Sequence, residues 1–276
     1  GMDTKPLNDV VPKRILNNLL SSLEAGVVPR SGAPYIAIGR TEEISSLLDN
    51  LDAVAEGGAA TRFIIGRYGS GKSFLMQLVR GYALDRDFLT ADADLSPERK
   101  LAGAGGIATY RELMRNFASK LSPDGGALAP VLARFRDRVK EQLVLQGEDP
   151  ESDTFRDALR VEMLRIVRDL ESGVGGFEFA RVLTAYFEAL ASDDGERKSA
   201  CLRWLRGEFK TKTEAKAALG MAVGEIIDDS NWYDYLKLWS VFARQTGYAG
   251  FAVFIDECVN LYKISNRISR EKNYEM

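Results

Sequence analysis

The chain has 276 residues, of which 45% are hydrophobic and 28% charged, and its formal net charge is −3 at pH 7. These values are typical of a soluble globular protein of one large or two small domains. The sequence has no apolar run near the roughly 20 residues of a membrane helix. Its overall charge is not basic, so nothing in the composition indicates nucleic-acid binding. It has no histidine, and its two cysteines, Cys201 and Cys258, show no metal-ligand spacing, which excludes histidine-based catalysis and fits a reducing cytoplasm.

The first predicted elements precede any motif. Apolar residues recur at helical spacing over Val11–Ala25, which predicts a helix. A short apolar stretch follows at Tyr35–Gly39, and Thr41 is the expected N-cap of a second helix with two acids in its first turn. That helix is predicted to continue over 44–54, with its apolar residues on one side.

The stretch Thr61–Ser73 reads T-R-F-I-I-G-R-Y-G-S-G-K-S and combines an apolar strand, a glycine-rich loop and the start of a helix. It contains the pattern G-x-x-x-x-G-K-[ST]. Glycines let backbone N–H groups surround phosphates, Lys72 can reach the β- and γ-phosphates, and the Ser73 hydroxyl is a ligand for Mg²⁺. We therefore predict that ATP or ADP binds with Mg²⁺ to this loop, whose residues are Gly66, Arg67, Tyr68, Gly69, Ser70, Gly71, Lys72, Ser73 and Phe74.

The elements after the loop are mostly helical. Phe88–Leu95 is predicted as a second strand, and Thr109–Leu121 as an amphipathic helix whose last residue lies on the inward side. Trp232–Ala243 is predicted as one more helix before the last apolar run, Phe251–Ile255. Between these elements, the spacing of apolar residues predicts further helices over about 128–145, 153–171, 176–191, 196–208 and 213–227.

This helical series lies between the two halves of the nucleotide-binding pattern, and an insertion is the simplest account of it. We expect residues 1–124 to contain N-terminal helices and the first half of the core. Residues 125–229 are then a helical insertion, and residues 230–276 are the second half of the core.

One segment of the insertion, residues 197–216, combines an excess of positive charge with Trp204 and Phe209. One interpretation is DNA binding by cations and aromatic rings. The other is an ordinary helix surface, with Trp204 in the core and charged side chains in solvent. The cations concerned are Arg197, Lys198, Arg203, Arg206, Lys210, Lys212 and Lys216.

The last strong pattern is Phe251–Ile255, an apolar run that ends in Asp256 and Glu257. A continuous apolar run is typical of a buried parallel strand. Alone it could be any strand that ends in an acid, but beside a phosphate loop it matches the Walker B motif. Asp256 would then hold Mg²⁺ together with Ser73, and Glu257 would polarise the attacking water. Glu257 and Lys72 are therefore the candidate catalytic residues.

The phosphate loop, the D-E pair and an upstream I-G-R box together resemble P-loop ATPases of the AAA+/STAND division. Several stretches are similar to a bacterial family that includes the BrxD ATP-binding proteins of BREX phage-defence systems. They are G-R-Y-G-S-G-K-S at 66–73, A-D-A-D-L-S-P-E-R-K-L at 91–101, R-W-L-R-G-E at 203–208 and G-Y-A-G-F-A-V-F-I-D-E at 247–257. This resemblance spans about 11–262. The upstream I-G-R box resembles the entry box of AAA+ proteins of the origin-recognition and STAND type, which implies that Ile38, Gly39 and Arg40 line the adenine pocket; these residues otherwise form a strand end and helix cap.

The resemblance implies an α/β P-loop NTPase with a parallel sheet and an all-helical insertion between Walker A and Walker B. In the AAA+ sheet, the strand after Walker B carries a polar sensor residue and lies between the two motif strands. No such strand follows before Met276, so we expect a core incomplete at its C-terminus, with sensor and arginine finger further on or on another chain.

The function expected from these patterns is ATP hydrolysis that drives a conformational change in the insertion, a protein partner or a homo-oligomer. A nucleotide-dependent switch or scaffold with little turnover is the alternative from another class. A small-molecule kinase, whose phosphate loop looks the same, is a third. A DNA-bound effector in phage defence is compatible with the first and rests on the family resemblance and the 197–216 segment.

Overall fold

The computed structural model of the chain describes residues 61–66, 80–95 and 106–257. At 61–66, 94–95, 172 and 255–257 it describes the backbone only. Two predicted helices, Val11–Ala25 and 44–54, lie outside the described residues. So does the I-G-R box. Most of the phosphate loop also lies outside them, so the structure places its first residue, Gly66, and not the rest.

Among the residues that the structure describes, three parallel strands form a small sheet in the order β1, β3, β2, so the last of these three in sequence is the central one. Their bounds are β1 Thr61–Gly66, β2 Phe88–Leu95 and β3 Gly250–Glu257. The predicted bounds of β2 are confirmed. β3 begins one residue before the predicted apolar run and includes both acids at its end.

In the described residues β1 pairs directly with β3, whereas the AAA+ resemblance implies a further strand between these two motif strands. Thr61 is the register partner of Phe251 and Ile64 that of Phe254, so the two strands are neighbours along the length of β1. Within the described residues, no strand lies between them. Direct pairing satisfies backbone N–H and C=O groups that would otherwise be left without partners inside the fold.

Both faces of the sheet are covered, which explains why β3 is a continuous apolar run. Side chains alternate between faces along a strand. Phe251 and Val253 belong to the core formed with the helices, and Ala252 and Phe254 are buried on the opposite face.

The remaining described chain is helical, apart from its turns and loops. Residues 80–85 are the described end of the helix after the phosphate loop. A single turn of 3-10 helix, Asp169–Ser172, follows α3. The full helices are α1 Gly106–Arg115, α2 Leu128–Leu145, α3 Phe155–Arg168, α4 Gly176–Ala191, α5 Gly195–Leu205, α6 Lys212–Leu219 and α7 Trp232–Gln245.

Two predicted helices end well before their expected last residues, and the helices predicted over 153–171 and 196–208 end slightly early, at Arg168 and Leu205. The helix predicted over Thr109–Leu121 is α1, which stops at Arg115 because the following chain turns to pair Ala118 with Thr90 of β2. The placement of Leu121 on the inward side is wrong, since 69% of this residue is exposed. The helix predicted over 213–227 ends at Leu219, where Gly220 has a φ of +70° and forms a left-handed C-terminal cap.

One continuous core joins the helices to the sheet, and Trp239 of α7 is at its centre. Its ring lies 4.9 Å from that of Phe179 in α4 and 5.4 Å from that of Phe117, measured between centroids. Phe117 in turn lies 5.6 Å from Phe251 of β3. The predicted helical insertion therefore shares its core with β2 and β3, and the predicted boundaries after 124 and 229 stay a prediction.

A chain of buried hydrogen bonds runs through the same core. The Trp239 indole N–H donates to the Tyr110 hydroxyl at 3.1 Å, and that hydroxyl donates to the Leu205 carbonyl at 2.7 Å. Burial raises the pKa of Tyr110 above its ordinary value, so the hydroxyl stays protonated and keeps both bonds. These bonds connect α1, α5 and α7.

We expect Tyr110→Phe to lower the free energy of unfolding by about 1–3 kcal/mol, because it leaves a buried indole N–H and a buried carbonyl without partners. Urea denaturation measures the change. Tyr248→Phe is the matched control, since the Tyr248 hydroxyl is buried and has no hydrogen-bond partner among the described residues. Equal losses in the two variants would contradict the role of the Tyr110 hydroxyl.

Cys201 in α5 is fully buried, and burial raises the pKa of its thiol to about 12. Only the thiolate is reactive. In a Cys258→Ser variant, where Cys201 is the one remaining cysteine, we expect Ellman's reagent at pH 8 to react about a thousandfold more slowly with native protein than with protein in urea. Rapid labelling of the folded protein would contradict this expectation.

Because the thiol of Cys201 ionises at lower pH in the unfolded protein than in the folded one, the free energy of unfolding should also fall as pH rises above about 9.

Candidate nucleotide-binding site

The carboxyl ends of the three strands lie at one edge of the sheet because the strands are parallel. Gly66, the last residue of β1 and the first of the predicted phosphate loop, is the register partner of Asp256. On its other side Asp256 is the register partner of Asp94, and Glu257 is that of Leu95. Ligands of open parallel sheets bind in the crevice outside the carboxyl ends of the strands. The two sequence motifs therefore meet where such a ligand would bind.

The helix after the loop is tied to β2 by an ion pair. The Arg80 guanidinium Nε lies 3.6 Å from a carboxylate oxygen of Asp92, and the two side chains are 10% and 25% exposed. Asp92 is the register partner of Phe254 in β3. Because side chains alternate, positions 92, 254 and 256 share one face of the sheet. The loop helix therefore contacts the face that carries position 256.

Further hydrogen bonds hold β2 in place beside β3. The Asn116 side-chain amide donates to the Asp92 carbonyl at 2.9 Å, and Ala118 and Thr90 exchange two backbone bonds of 2.8 and 3.0 Å. At the other end of the strand, Ala249 N–H donates to the Asp87 carbonyl at 2.9 Å. β2 is thus held in place by contacts from several elements.

The structure brings together only some of the predicted site residues, namely Gly66, Asp256 and Glu257, and for these it gives the backbone. The pairing of β1 with β3 and the Arg80–Asp92 pair were not predicted. Aspartates at alternate positions of a buried strand, D-A-D at 92–94, were the available signal. The predicted residues outside the described part of the chain are Ile38, Gly39, Arg40, Arg67, Tyr68, Gly69, Ser70, Gly71, Lys72, Ser73 and Phe74.

The basic segment 197–216 has its aromatic residues in the core. Trp204 and Phe209 are 0% and 1% exposed, and the Trp204 indole N–H donates to the Glu225 carbonyl at 3.1 Å. Arg203 lies over the Phe209 ring and pairs with Glu214 at 3.2 Å. The rings are therefore unavailable for stacking on bases, and the core interpretation holds for them.

An apolar parallel strand next to a phosphate-loop strand, with acids at the shared edge, is an arrangement compatible with P-loop nucleotide-binding proteins. The family described as BREX system ATP-binding protein BrxC/D matches residues 11–276. The chain belongs to this family, which supports ATP as its ligand.

Neither the curated proteins nor the solved structures contain a match to this sequence. Among the helices that the structure describes, none is both long enough and apolar enough to cross a membrane. Within the same residues, no cluster of three or more His, Cys, Asp or Glu side chains could hold a metal ion.

We expect the Arg80–Asp92 pair to be energetically coupled. A double-mutant cycle with Arg80→Gln and Asp92→Asn should give a coupling energy of about 1–3 kcal/mol in urea denaturation, because the two charges are largely buried. The control cycle uses Arg160 and Asp157, which lie 3.9 Å apart and are 57% and 82% exposed; its coupling should stay below about 0.5 kcal/mol. Similar coupling in both cycles would contradict the proposed contact between loop helix and β2.

Proposed function

We propose that this chain is an Mg²⁺-dependent ATPase acting in phage defence, with its site at the carboxyl edge of the sheet. The observation that carries the proposal is the register of Gly66 with Asp256. It makes the first glycine of the phosphate-loop motif and the Walker B acid adjacent positions. Membership in a family of BREX-system ATP-binding proteins supports the ligand and the biological setting.

The residue types at this edge fit a nucleotide with Mg²⁺. The loop Gly66–Ser73 supplies backbone N–H groups for phosphates, and Lys72 supplies a positive charge. Mg²⁺ takes oxygen ligands, so the Ser73 hydroxyl and the Asp256 carboxylate would hold it. When bound, the ion neutralises negative charge on the phosphates.

Glu257 is proposed as the residue that polarises the attacking water. A carboxylate suits this role because the chain contains no histidine and because the residue directly follows Asp256 at the end of β3. A general base of this kind contributes about 10²–10⁴-fold to rate. The base would accept the proton of the water as it attacks the γ-phosphate.

The packing of β3 suggests how hydrolysis would be coupled to movement. Phe251, five positions before Asp256 in the same strand, contacts Phe117, which contacts Trp239 of α7. A shift of the strand end during turnover would therefore displace α7 and the helices packed on it. We propose that the helical region moves in response and acts on a protein partner or a second copy.

The test is ATP binding and phosphate release by the chain, with and without Mg²⁺ and duplex DNA. Lys72→Ala should weaken ATP binding at least about tenfold, because a charge-assisted contact to phosphate is lost. Glu257→Gln should bind ATP with unchanged affinity and release phosphate about 10²–10⁴-fold more slowly. Lys140→Ala and Glu171→Gln, exposed residues of the helical region outside segment 197–216, are the matched controls.

Binding without turnover in every condition would replace the ATPase by the nucleotide-dependent switch. Unaltered phosphate release in Glu257→Gln would remove Glu257 from the mechanism. Failure of the wild-type chain to bind ATP would contradict the assignment of the phosphate loop itself.

A further inference from the structure

A cavity of about 270 Å³ lies between α3 and α4, far along the chain from the nucleotide motifs. We call it the α3–α4 cavity. Its floor is apolar and is formed by Leu159, Met163 and Val167 of α3 with Phe187 of α4. The three α3 side chains are 8%, 5% and 2% exposed, so they form part of the folded core. The cavity is open to solvent on one side, and its apolar floor offers dispersion contacts to an apolar group.

The mouth of the cavity is cationic. Three arginines line it, Arg136 of α2 with Arg156 and Arg160 of α3, against two acids, Asp157 and Glu188. This local excess of positive charge occurs in a chain whose formal net charge is −3. The cavity thus combines an apolar floor with a rim that attracts anions.

Both rim acids already face an arginine. Asp157 lies 3.9 Å from Arg160, and Glu188 lies 3.9 Å from Arg197, measured between nitrogen and carboxylate oxygen. The remaining cations are Arg136 and Arg156, and in the described part of the chain neither has a carboxylate within ion-pair distance.

These two arginines differ in how they are held. The Arg156 guanidinium donates to the Ala191 carbonyl at the end of α4 at 2.5 Å, which fixes it at the rim. Arg136 is partly buried. A guanidinium held beside an apolar surface can bind a carboxylate through two parallel N–H donors, and such charge-assisted bonds are roughly twice as strong as neutral ones.

We propose that the α3–α4 cavity binds a small anionic amphiphile, a carboxylate with an apolar body, whose head group lies on Arg136 and Arg156. The volume sets the size of the ligand. A volume of about 270 Å³ limits the ligand to a small molecule, such as a carboxylic acid of about eight carbons. A peptide segment would need a longer groove. This site is independent of the proposed ATPase activity.

The experiment compares octanoate with octanamide, which has the same shape and size without the charge, by isothermal titration calorimetry on the full chain. Octanoate should bind at least about tenfold more tightly, because only the carboxylate makes charge-assisted bonds. Arg136→Gln should bring the ratio of the two affinities to within about twofold while leaving octanamide binding unchanged. Lys140→Gln is the matched control, since Lys140 lies one turn further along α2, is exposed and does not line the cavity.

A second variant tests the apolar body separately from the head group. Thr184 lines the cavity from α4, and Thr184→Phe should fill it and lower the affinity for both ligands at least about tenfold, with circular dichroism confirming the fold. Failure of octanoate to bind wild type would overturn the proposal. So would equal affinities of octanoate and octanamide, or a ratio that Arg136→Gln leaves unchanged. If sedimentation showed that the wild type self-associates and Thr184→Phe does not, the occupant would be a second copy, and the small-molecule proposal would be wrong.

Discussion

The packing of Trp239 is the interaction on which the rest of the structure depends. Its indole is fully buried, contacts the rings of Phe117 and Phe179, and donates a hydrogen bond to Tyr110. An aromatic side chain of this size buries about 150–250 Å². Since these contacts come from different elements, one residue ties α1, α4 and α7 together, and Phe117 extends the cluster to the central strand. The described strands of the sheet are therefore stabilised largely by the helices that pack on them.

This dependence explains the geometry of the candidate site. The three described strands have one face on a helical core and little freedom to shift, so their ends are held in register. Asp256 and Gly66 are adjacent because β3 lies between β1 and β2 and pairs with both. The Arg80–Asp92 pair then sets the loop helix against the face that carries position 256. The scaffold thus supplies the common edge of the two sequence motifs.

Local patterns in the sequence predicted much of the fold. The bounds of β2, α2 and α4 were correct, because apolar spacing and flanking glycines act locally. The end of α1 was not, because it is decided by the pairing of Ala118 with Thr90, a contact between elements. The predicted end of α6 was also wrong. Gly220 marks the true end in the sequence, but the apolar residues after it continue at helical spacing and favoured a longer helix. The motif residues could be named from their pattern, whereas the adjacency of β1 and β3 depends on long-range pairing that spacing does not encode.

The place of β3 at the centre of the sheet has a consequence for how the protein folds. β1 and β2 precede the helical region in the chain, and the strand that joins them follows it. Contacts so distant in sequence carry a large loop-closure cost and form slowly. Helices α2 to α6 make mostly local contacts and can form first, as the chain leaves the ribosome. Until β3 arrives, β1 and β2 have unpaired edges that can join other chains. We therefore expect the strand edge that carries the two motifs to assemble late in folding, after the helical region has formed.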